Sequence, residues 1–408
     1  MTDDLNELSR FLHWGPISAL CVTLTVILTT WAWWPMDLSI TNRAHFGLFV
    51  LLNLLAVYNY VMAVMVGPGL LPRKWQPFHP REAKFLQFCK KCDGFKAPRS
   101  HHCRQCDRCV KKMDHHCPWI NHCVGWSNQA YFVYFLFFYM LSNLHASVVL
   151  CLSGFNYLYG ILLHGDIRRI PLIGPLLCVF SLGLAVGIVL CMLKLLFIQI
   201  VCIVKNMTSI EQWIVEKARC RRYRSKRRLK PFVYPYNMGW YSNLGQVFNI
   251  DSQTRGRGIE WPVLKGCDPF TLTREQIAQK AEKRQRTRTF KCTRHVTGHW
   301  LPILSQGLMV TLCVPCADDP RICLEPNDLI RVTRIRKYWL FGERVLSEVE
   351  DHSKRLRRGP IRGWFPRRCA IDITNSLPST LSGEPDANKT TEKRKCIGKQ
   401  KQLKLNQD

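Results

Sequence analysis

Four long apolar blocks decide what this chain can become. They run roughly over residues 14–35, 45–66, 131–162 and 172–204, and each reaches the span of about 20 residues that a helix needs to cross a hydrocarbon core. Soluble helices of that length carry a polar face, and these blocks carry almost none. The prediction is an α-helical integral membrane protein with four transmembrane helices. Trp31, Trp33 and Trp34 rim the first block, as an interfacial aromatic belt would. The third and fourth blocks exceed what a bilayer requires, which implies tilt or extension beyond it.

Charge then sets the orientation. Segment 67–130 carries twelve Lys or Arg residues, and "KARCRRYRSKRRLK" follows the fourth block, whereas the loops at 36–44 and 163–171 hold only Arg43, Arg168 and Arg169. The positive-inside rule places the N-terminus, segment 67–130 and everything after residue 204 in the cytosol. The sequons at Asn206 and Asn388 then lie away from the glycosylating lumen, and N-glycan on either would refute this topology. The acidic start "MTDDLNELSR", followed by a block long enough to span, predicts no cleavable signal. Lys194 lies inside the fourth block, near enough to its cytosolic end to snorkel. Lys and Arg total 58 against 29 acidic residues, a balance suited to an anionic membrane face or a phosphorylated ligand. With four spans, nucleic acid is not an expected partner.

Between the second and third blocks stands "CKKCDGFKAPRSHHCRQCDRCVKKMDHHCPWINHC". It holds Cys89, Cys92, Cys103, Cys106, Cys109, Cys117 and Cys123, interleaved with His101, His102, His115, His116 and His122. Thiols mixed with imidazoles at such spacing favour metal over disulfides, in a reducing compartment. Two structural zinc ions take eight ligands, so four of these twelve side chains are surplus. Cys89 and Cys92 form one C-x2-C knuckle and Cys103 and Cys106 another, with Cys109 and Cys123 as natural closers for different ions. Counting leaves His116 and Cys117 undecided. Chemistry favours a free Cys117, because a thiol preceded by histidine and aspartate has a base and an orienting acid beside it.

This loop resembles the cysteine-rich domain of the DHHC protein S-acyltransferases (palmitoyltransferases), whose tetrapeptide stands here as Asp114-His115-His116-Cys117. The similarity extends through "KAPRSHHCRQCDRC" and "MDHHCPWINHCVGWSNQAYF". It implies one zinc on Cys89, Cys92, His102 and Cys109, and a second on Cys103, Cys106, His116 and Cys123, both structural. It also implies that Cys117 is the acylated nucleophile, with His115 as base and Asp114 as orienting acid; His101 and His122 receive no role. A TTxE-like element appears as "TSIE" (Thr208 to Glu211), and an asparagine-containing element as "YPYNMGWYSNLGQVF" around Asn243. The family's DPG is "GPG" here, from Gly67 to Gly69, so no role passes to Gly67.

The chemistry that the resemblance implies is thioester exchange. An acyl group moves from palmitoyl-CoA, the co-substrate, to Cys117 and then to a cysteine of a membrane-associated protein. The exchange is nearly isoenergetic and calls for no nucleotide site; no GxxxxGK[ST] sequence is present. Cys117 lies fourteen residues before Tyr131, a tether of at most about 50 Å, which keeps the thiol near the membrane. Trp119 is a candidate lining residue for the acyl chain. Arg99, Lys111 and Lys112 stand equally as partners for CoA phosphates or as markers of the cytosolic face. A RING-type ligase would end in a further C-x2-C pair and leave no thiol beside a histidine; a non-catalytic zinc scaffold would show no acyl-enzyme.

The domain plan places the N-terminus and first two spans at 1–66, the cysteine-rich domain at 67–130, and the remaining spans at 131–204. A basic juxtamembrane stretch with the two family elements covers 205–288, including a charged connecting helix over 273–288. Residues 289–372 change texture: "ICLEPNDLIRVTRIRKYWLFGE" alternates apolar and polar residues. With "GWFPRR" it resembles an all-β SH3-like domain, in which Trp339 and Pro366 match polyproline-groove residues. An ALYDY-like element is missing, and Cys369 stands where tyrosine is usual, so a partner-docking or regulatory module for an accessory protein is the expected role. Cys313, Cys316, Cys323 and Cys369 are expected to be free thiols, and Cys316 in "VPCADDPR" is a candidate for acylation. Residues 373–408, rich in Ser, Thr, Pro, Lys and Gln, have a composition expected of disorder. The whole chain is similar to the SH3-containing mammalian member of the family, which implies the endoplasmic reticulum membrane, with the Golgi as alternative.

Overall fold

The computed structural model describes residues 9–35, 39–164, 172–224, 230–248, 257–299, 307–315, 319–345 and 361–374. Arg168, Arg169, Cys316, Asn388 and the tail beyond 374 lie outside them. Two compact units divide the chain, Met1–Ile277 and Ala278–Asp408.

In the first unit, four helices are long and apolar enough to cross a membrane: α1 (Trp14–Ala32), α2 (Ile40–Met65), α3 (Gln129–His164) and α4 (Ile173–Val204). Their starts carry local signals. The His13 ring accepts the Gly15 N–H at 3.4 Å, and the Ser39 hydroxyl accepts that of Asn42 at 3.2 Å, each covering a donor that helix geometry leaves open. Small residues let the helices approach: Ala146 of α3 and Ala185 of α4 are fully buried among Val26, Phe49 and Val149. Ser181 of α4 bonds Thr29 of α1 at 3.0 Å.

Trp34 departs from the expected belt. It is buried between Phe46, Phe49 and His145, and its indole N–H donates to Asn42 Oδ1 at 2.9 Å. Of the three tryptophans only Trp31 is largely exposed. Trp34 instead closes the loop end of the α1–α2 pair, with its polar tip satisfied, as a buried indole requires. Lys194 faces outward from α4, as snorkelling needs.

Beyond α4 the chain folds back. Thr208 and Glu211 open α5 (Ser209–Arg224) with a reciprocal capping box: the Glu211 N–H donates to Thr208 Oγ1 at 3.2 Å, and the Thr208 N–H to Glu211 Oε2 at 2.9 Å. Helix α6 (Trp240–Phe248) is fixed through Asn243, wholly buried, which donates to the Val204 carbonyl at 2.7 Å and accepts from the Met238 N–H at 3.1 Å. Helix α7 (Thr271–Gln285) matches the expected charged helix within a few residues.

The second unit is built on a five-stranded antiparallel sheet. Its strands are β7 (Arg288–Cys292), β8 (Leu329–Ile335), β9 (Trp339–Arg344), β10 (Arg362–Pro366) and β11 (Ala370–Asp372), ordered β10-β9-β8-β7-β11, with a 3-10 turn at Arg367–Cys369. Alternate residues fill the core: Phe290, Cys292, Ile330, Val332, Leu340 and Phe365. The short helix α8 (Leu308–Leu312) rests on Trp339, whose indole N–H donates to the Val310 carbonyl at 2.9 Å. Trp339 and Pro366 are both buried, as are Cys292 and Cys369; Cys313 is exposed and Cys323 half-buried.

Candidate active site

Three antiparallel hairpins make the site: β1–β2 (Gln87–Cys89, Gly94–Lys96), β3–β4 (His101–Cys103, Arg108–Val110) and β5–β6 (His115–Cys117, His122–Val124). They repeat in sequence every fourteen residues. Cys89, Cys103 and Cys117 share one position of the repeat, and Cys92, Cys106 and Ile120 another. The next residues, Asp93, Asp107 and Asn121, have positive φ values of 52°, 47° and 46°, in the left-handed region that Asp and Asn tolerate best after glycine. Each turn is thus a Cys-x2-Cys knuckle except the third, where buried Ile120 replaces the second sulfur.

Every knuckle is completed by the next hairpin. Cys89 and Cys92 meet His102 and Cys109, which are cross-strand partners; Cys103 and Cys106 meet His116 and Cys123, partners likewise. Nδ1 of His102 lies 3.5, 3.4 and 3.9 Å from the sulfurs of Cys89, Cys92 and Cys109. Nδ1 of His116 lies 3.5, 3.5 and 3.7 Å from those of Cys103, Cys106 and Cys123. A tetrahedron with Zn–S about 2.3 Å and Zn–N about 2.0 Å has edges of roughly 3.5–3.8 Å, so both groups fit four-coordinate zinc. Asp107 Oδ1, 3.6 Å from His102 Nε2, can orient that ring. The third hairpin has no successor, and Cys117 stands outside both groups.

Cys117 is buried instead among apolar side chains of three spans: Val64 of α2, Phe132 and Leu136 of α3, and Leu196 and Ile203 of α4. The ring of His115 packs edge-on against Phe132 at 5.5 Å, and its Nδ1–H donates to Asp114 Oδ2 at 2.8 Å. Burial disfavours the imidazolium, but the bond to Asp114 and the neighbouring Cys117 sulfur outweigh it and hold His115 up to about 9. Asp114 is itself buried, which would raise its pKa; bonds from His115, the Ser209 N–H (2.6 Å, to Oδ1) and Gln199 Nε2 (2.9 Å, to Oδ2) hold it down at about 2. Gln129 in turn donates to Gln199 Oε1 at 3.3 Å. Gln199 and Ser209 escaped the sequence reading, although a glutamine inside the apolar "LLFIQIVC" was itself a signal.

Arg99 and Lys112 are interior residues rather than exposed cations. The Arg99 guanidinium forks onto Glu211 (Nε to Oε1 2.7 Å, Nη2 to Oε2 2.8 Å), donates to the Asn206 carbonyl at 2.7 Å, and stacks between Tyr236 and Trp261, 4.6 Å from each ring centre. Lys112 is buried beside Trp261; that burial, with the Arg99 charge, lowers its pKa to about 7. Lys111 donates to the Arg257 carbonyl at 3.1 Å. Asn206, the first sequon, is buried, with its amide on the Tyr236 carbonyl and Gln246. The positive charge counted in the loop therefore serves in part to fasten it to the segment after α4.

Trp119 is about half exposed and stands edge-on to Trp14 at the start of α1, 5.7 Å between centres. Its carbonyl accepts the Tyr60 hydroxyl at 3.0 Å. Arg10 and Asn121 exchange bonds with each other's carbonyls at 3.0 and 3.3 Å. Gly15 is required here, because a Cβ would fall 2.0 Å from the Pro118 carbonyl oxygen. Of the two unassigned histidines, His122 is buried and accepts the Cys123 N–H at 3.0 Å, and His101 is half-buried.

A family model described as DHHC palmitoyltransferase matches residues 82–216. The chain is 40% identical over 391 residues to palmitoyltransferase ZDHHC6 of Danio rerio, covering 90% of this chain and 93% of that protein. It is also 40% identical over 393 residues to the Homo sapiens protein of the same name, covering 90% and 92%. Palmitoyltransferase PFA4 of Mycosarcoma maydis is 34% identical over 260 residues, covering 53% of this chain and 52% of its own.

Proposed function

The chain belongs to the DHHC palmitoyltransferases and is a protein-cysteine S-palmitoyltransferase, and from that premise we propose that Cys117 carries the acyl group between acyl-CoA and the acceptor. One observation supports this most: of the paired histidines, His116 turns into a Cys3His group, while His115 stays outside it, bonded to Asp114 and close enough to the Cys117 thiol for the two to interact electrostatically.

The first step moves the thiol proton to His115 Nε2, since Nδ1 is committed to Asp114. The Cys117 sulfur attacks the thioester carbonyl, the bond to the CoA sulfur breaks, and the departing thiolate takes the proton from His115. In the second step an acceptor cysteine gives its proton to His115, attacks the acyl-enzyme and receives the acyl group. Cys117 leaves as thiolate and is reprotonated. One thioester replaces another in both steps, so no further energy source enters.

Zinc, held by the two Cys3His groups, would supply shape only: every position of each tetrahedron is a protein ligand, leaving none open for water or substrate. The apolar shell of Cys117 suits a long acyl chain, whose burial is favourable by about 0.8 kcal/mol per methylene. Trp119 is proposed to line its path. We place the protein in the endoplasmic reticulum membrane, the compartment that the family resemblance implies, with both termini cytosolic and membrane-associated proteins as acceptors. The second unit reads as SH3-like, because its sheet runs last strand, first, second, third, fourth, with a 3-10 turn before the last, and its proposed role is to receive an accessory protein.

The test is autoacylation with a clickable fatty-acyl-CoA. Wild-type protein should take up label that neutral hydroxylamine removes, as a thioester requires. Label on the chain that resists hydroxylamine would contradict the proposal.

A further inference from the structure

In the second unit, an open cleft of about 470 Å³ lies between β7, α8, the loop before β9 and the 3-10 turn. Four cations line it: Arg288, Lys337, Arg367 and Arg368, all exposed. Against them stands one carboxylate, Asp372, paired to Arg288 at 3.2 Å. Among the described residues, Lys337, Arg367 and Arg368 have no acidic partner. The frame holding them is fixed: the Arg367 N–H donates to the Tyr338 carbonyl at 2.8 Å, joining the turn to the loop, and buried Phe290 and Val310 form the floor.

The neighbouring aromatic surface is already taken. Trp339 is 1% exposed, with Val310 of α8 against it and the Val310 carbonyl on its indole N–H. The open surface of this face is therefore the cationic cleft, in which Tyr338 and Ile335 stand beside the four cations.

We propose that this cleft binds a small polyanion bearing two or more phosphate monoesters, such as a phosphorylated inositol. Its volume falls within the range of about 300–1,000 Å³ of small-molecule sites. A phosphate monoester carries about −1.5 to −2 near neutrality, so two of them match the three unpaired cations. Guanidinium forks such as those of Arg367 and Arg368 meet phosphate oxygens in pairs.

The test uses the full chain in phosphatidylcholine nanodiscs at physiological salt, about 0.15 M, with fluorescent inositol hexakisphosphate as probe. The variant Arg367→Gln/Arg368→Gln should bind at least about ten-fold more weakly. The control Lys291→Gln/Arg331→Gln removes the same charge from the opposite face of β7 and β8, where side chains alternate, and should bind as wild type. Equal loss in both variants, unchanged binding in the first, or displacement of the probe by a phosphate-free acidic peptide as readily as by unlabelled probe would overturn the site. A second arm adds phosphatidylinositol bisphosphate to the nanodiscs. Displacement of the probe by this lipid, abolished in the first variant, assigns the site to a headgroup; probe binding indifferent to the lipid assigns it to a soluble phosphate. Either result with the first variant defective supports the cleft.

Discussion

His115 Nδ1 and Asp114 Oδ2 lie 2.8 Å apart, and that carboxylate receives two further donors, from Ser209 and Gln199. The aspartate is thus held charged behind the imidazole by three donors. Asp114→Asn keeps the shape but presents a neutral amide to the ring, and autoacylation should fall by about 10²–10⁴-fold with zinc content unchanged. The pKa of Asp114, near 2 in the folded protein, lies below its ordinary 3.8. Its stabilising contribution is therefore present above about pH 4 and is lost progressively as pH falls from there through about 2. Autoacylation measured down to about pH 5 should show no break assignable to this carboxylate.

The same relay predicts a role for Gln199 from within the fourth span. Gln199→Leu removes one donor to Asp114 and should slow autoacylation by about ten-fold or less, because Ser209 and His115 still hold the carboxylate. Single-turnover kinetics on purified protein would measure it, and a rate equal to wild type would remove Gln199 from the account.

Arg99 and Glu211 form a fully buried, forked ion pair. Breaking it leaves one charge without a partner, a loss of about 3–5 kcal/mol. Glu211→Gln should therefore lower the melting temperature of the full chain strongly. Arg99→Met/Glu211→Leu, which removes both charges, should recover part of that loss.

How much of this was legible in the sequence depends on range. Hydropathy located the four spans, since burying a backbone in lipid demands long apolar helices. The knuckle spacing located the metal groups, because Cys-x2-Cys is a local geometry. His116 and Cys117 could not be separated by counting; the cross-strand register of His116 with Cys123, and the replacement of a sulfur by Ile120, separate them in three dimensions. Arg99 and Lys112 read as surface residues because their partners, Glu211 and Trp261, lie over a hundred positions away. Composition counts such charges but does not see who faces them.

Metal content offers a further prediction. The purified chain should hold two zinc ions; Cys92→Ser and Cys106→Ser should each lower that number, and Cys117→Ser should not. Structural zinc contributes about 10–16 kcal/mol of binding that is also folding energy. Chelation should therefore expose the hairpins to protease and end autoacylation together.

Gly15 supplies another. A methyl group there meets the Pro118 carbonyl oxygen at 2.0 Å, so Gly15→Ala must shift either the start of α1 or the segment after Cys117. A displacement of this kind near Cys117 should reduce autoacylation by about 10–100-fold while zinc content stays unchanged. Unchanged rates would mean that α1 yields freely and does not position the loop.

The most direct test of the account is the site of the acyl group during turnover. Wild-type protein quenched shortly after mixing with palmitoyl-CoA should show, by peptide mass spectrometry, palmitate in thioester linkage on Cys117, and this should decay as an acceptor cysteine becomes acylated. Cys117→Ser should form no such intermediate while keeping both zinc ions. Acceptor acylation at the wild-type rate by Cys117→Ser would contradict the account.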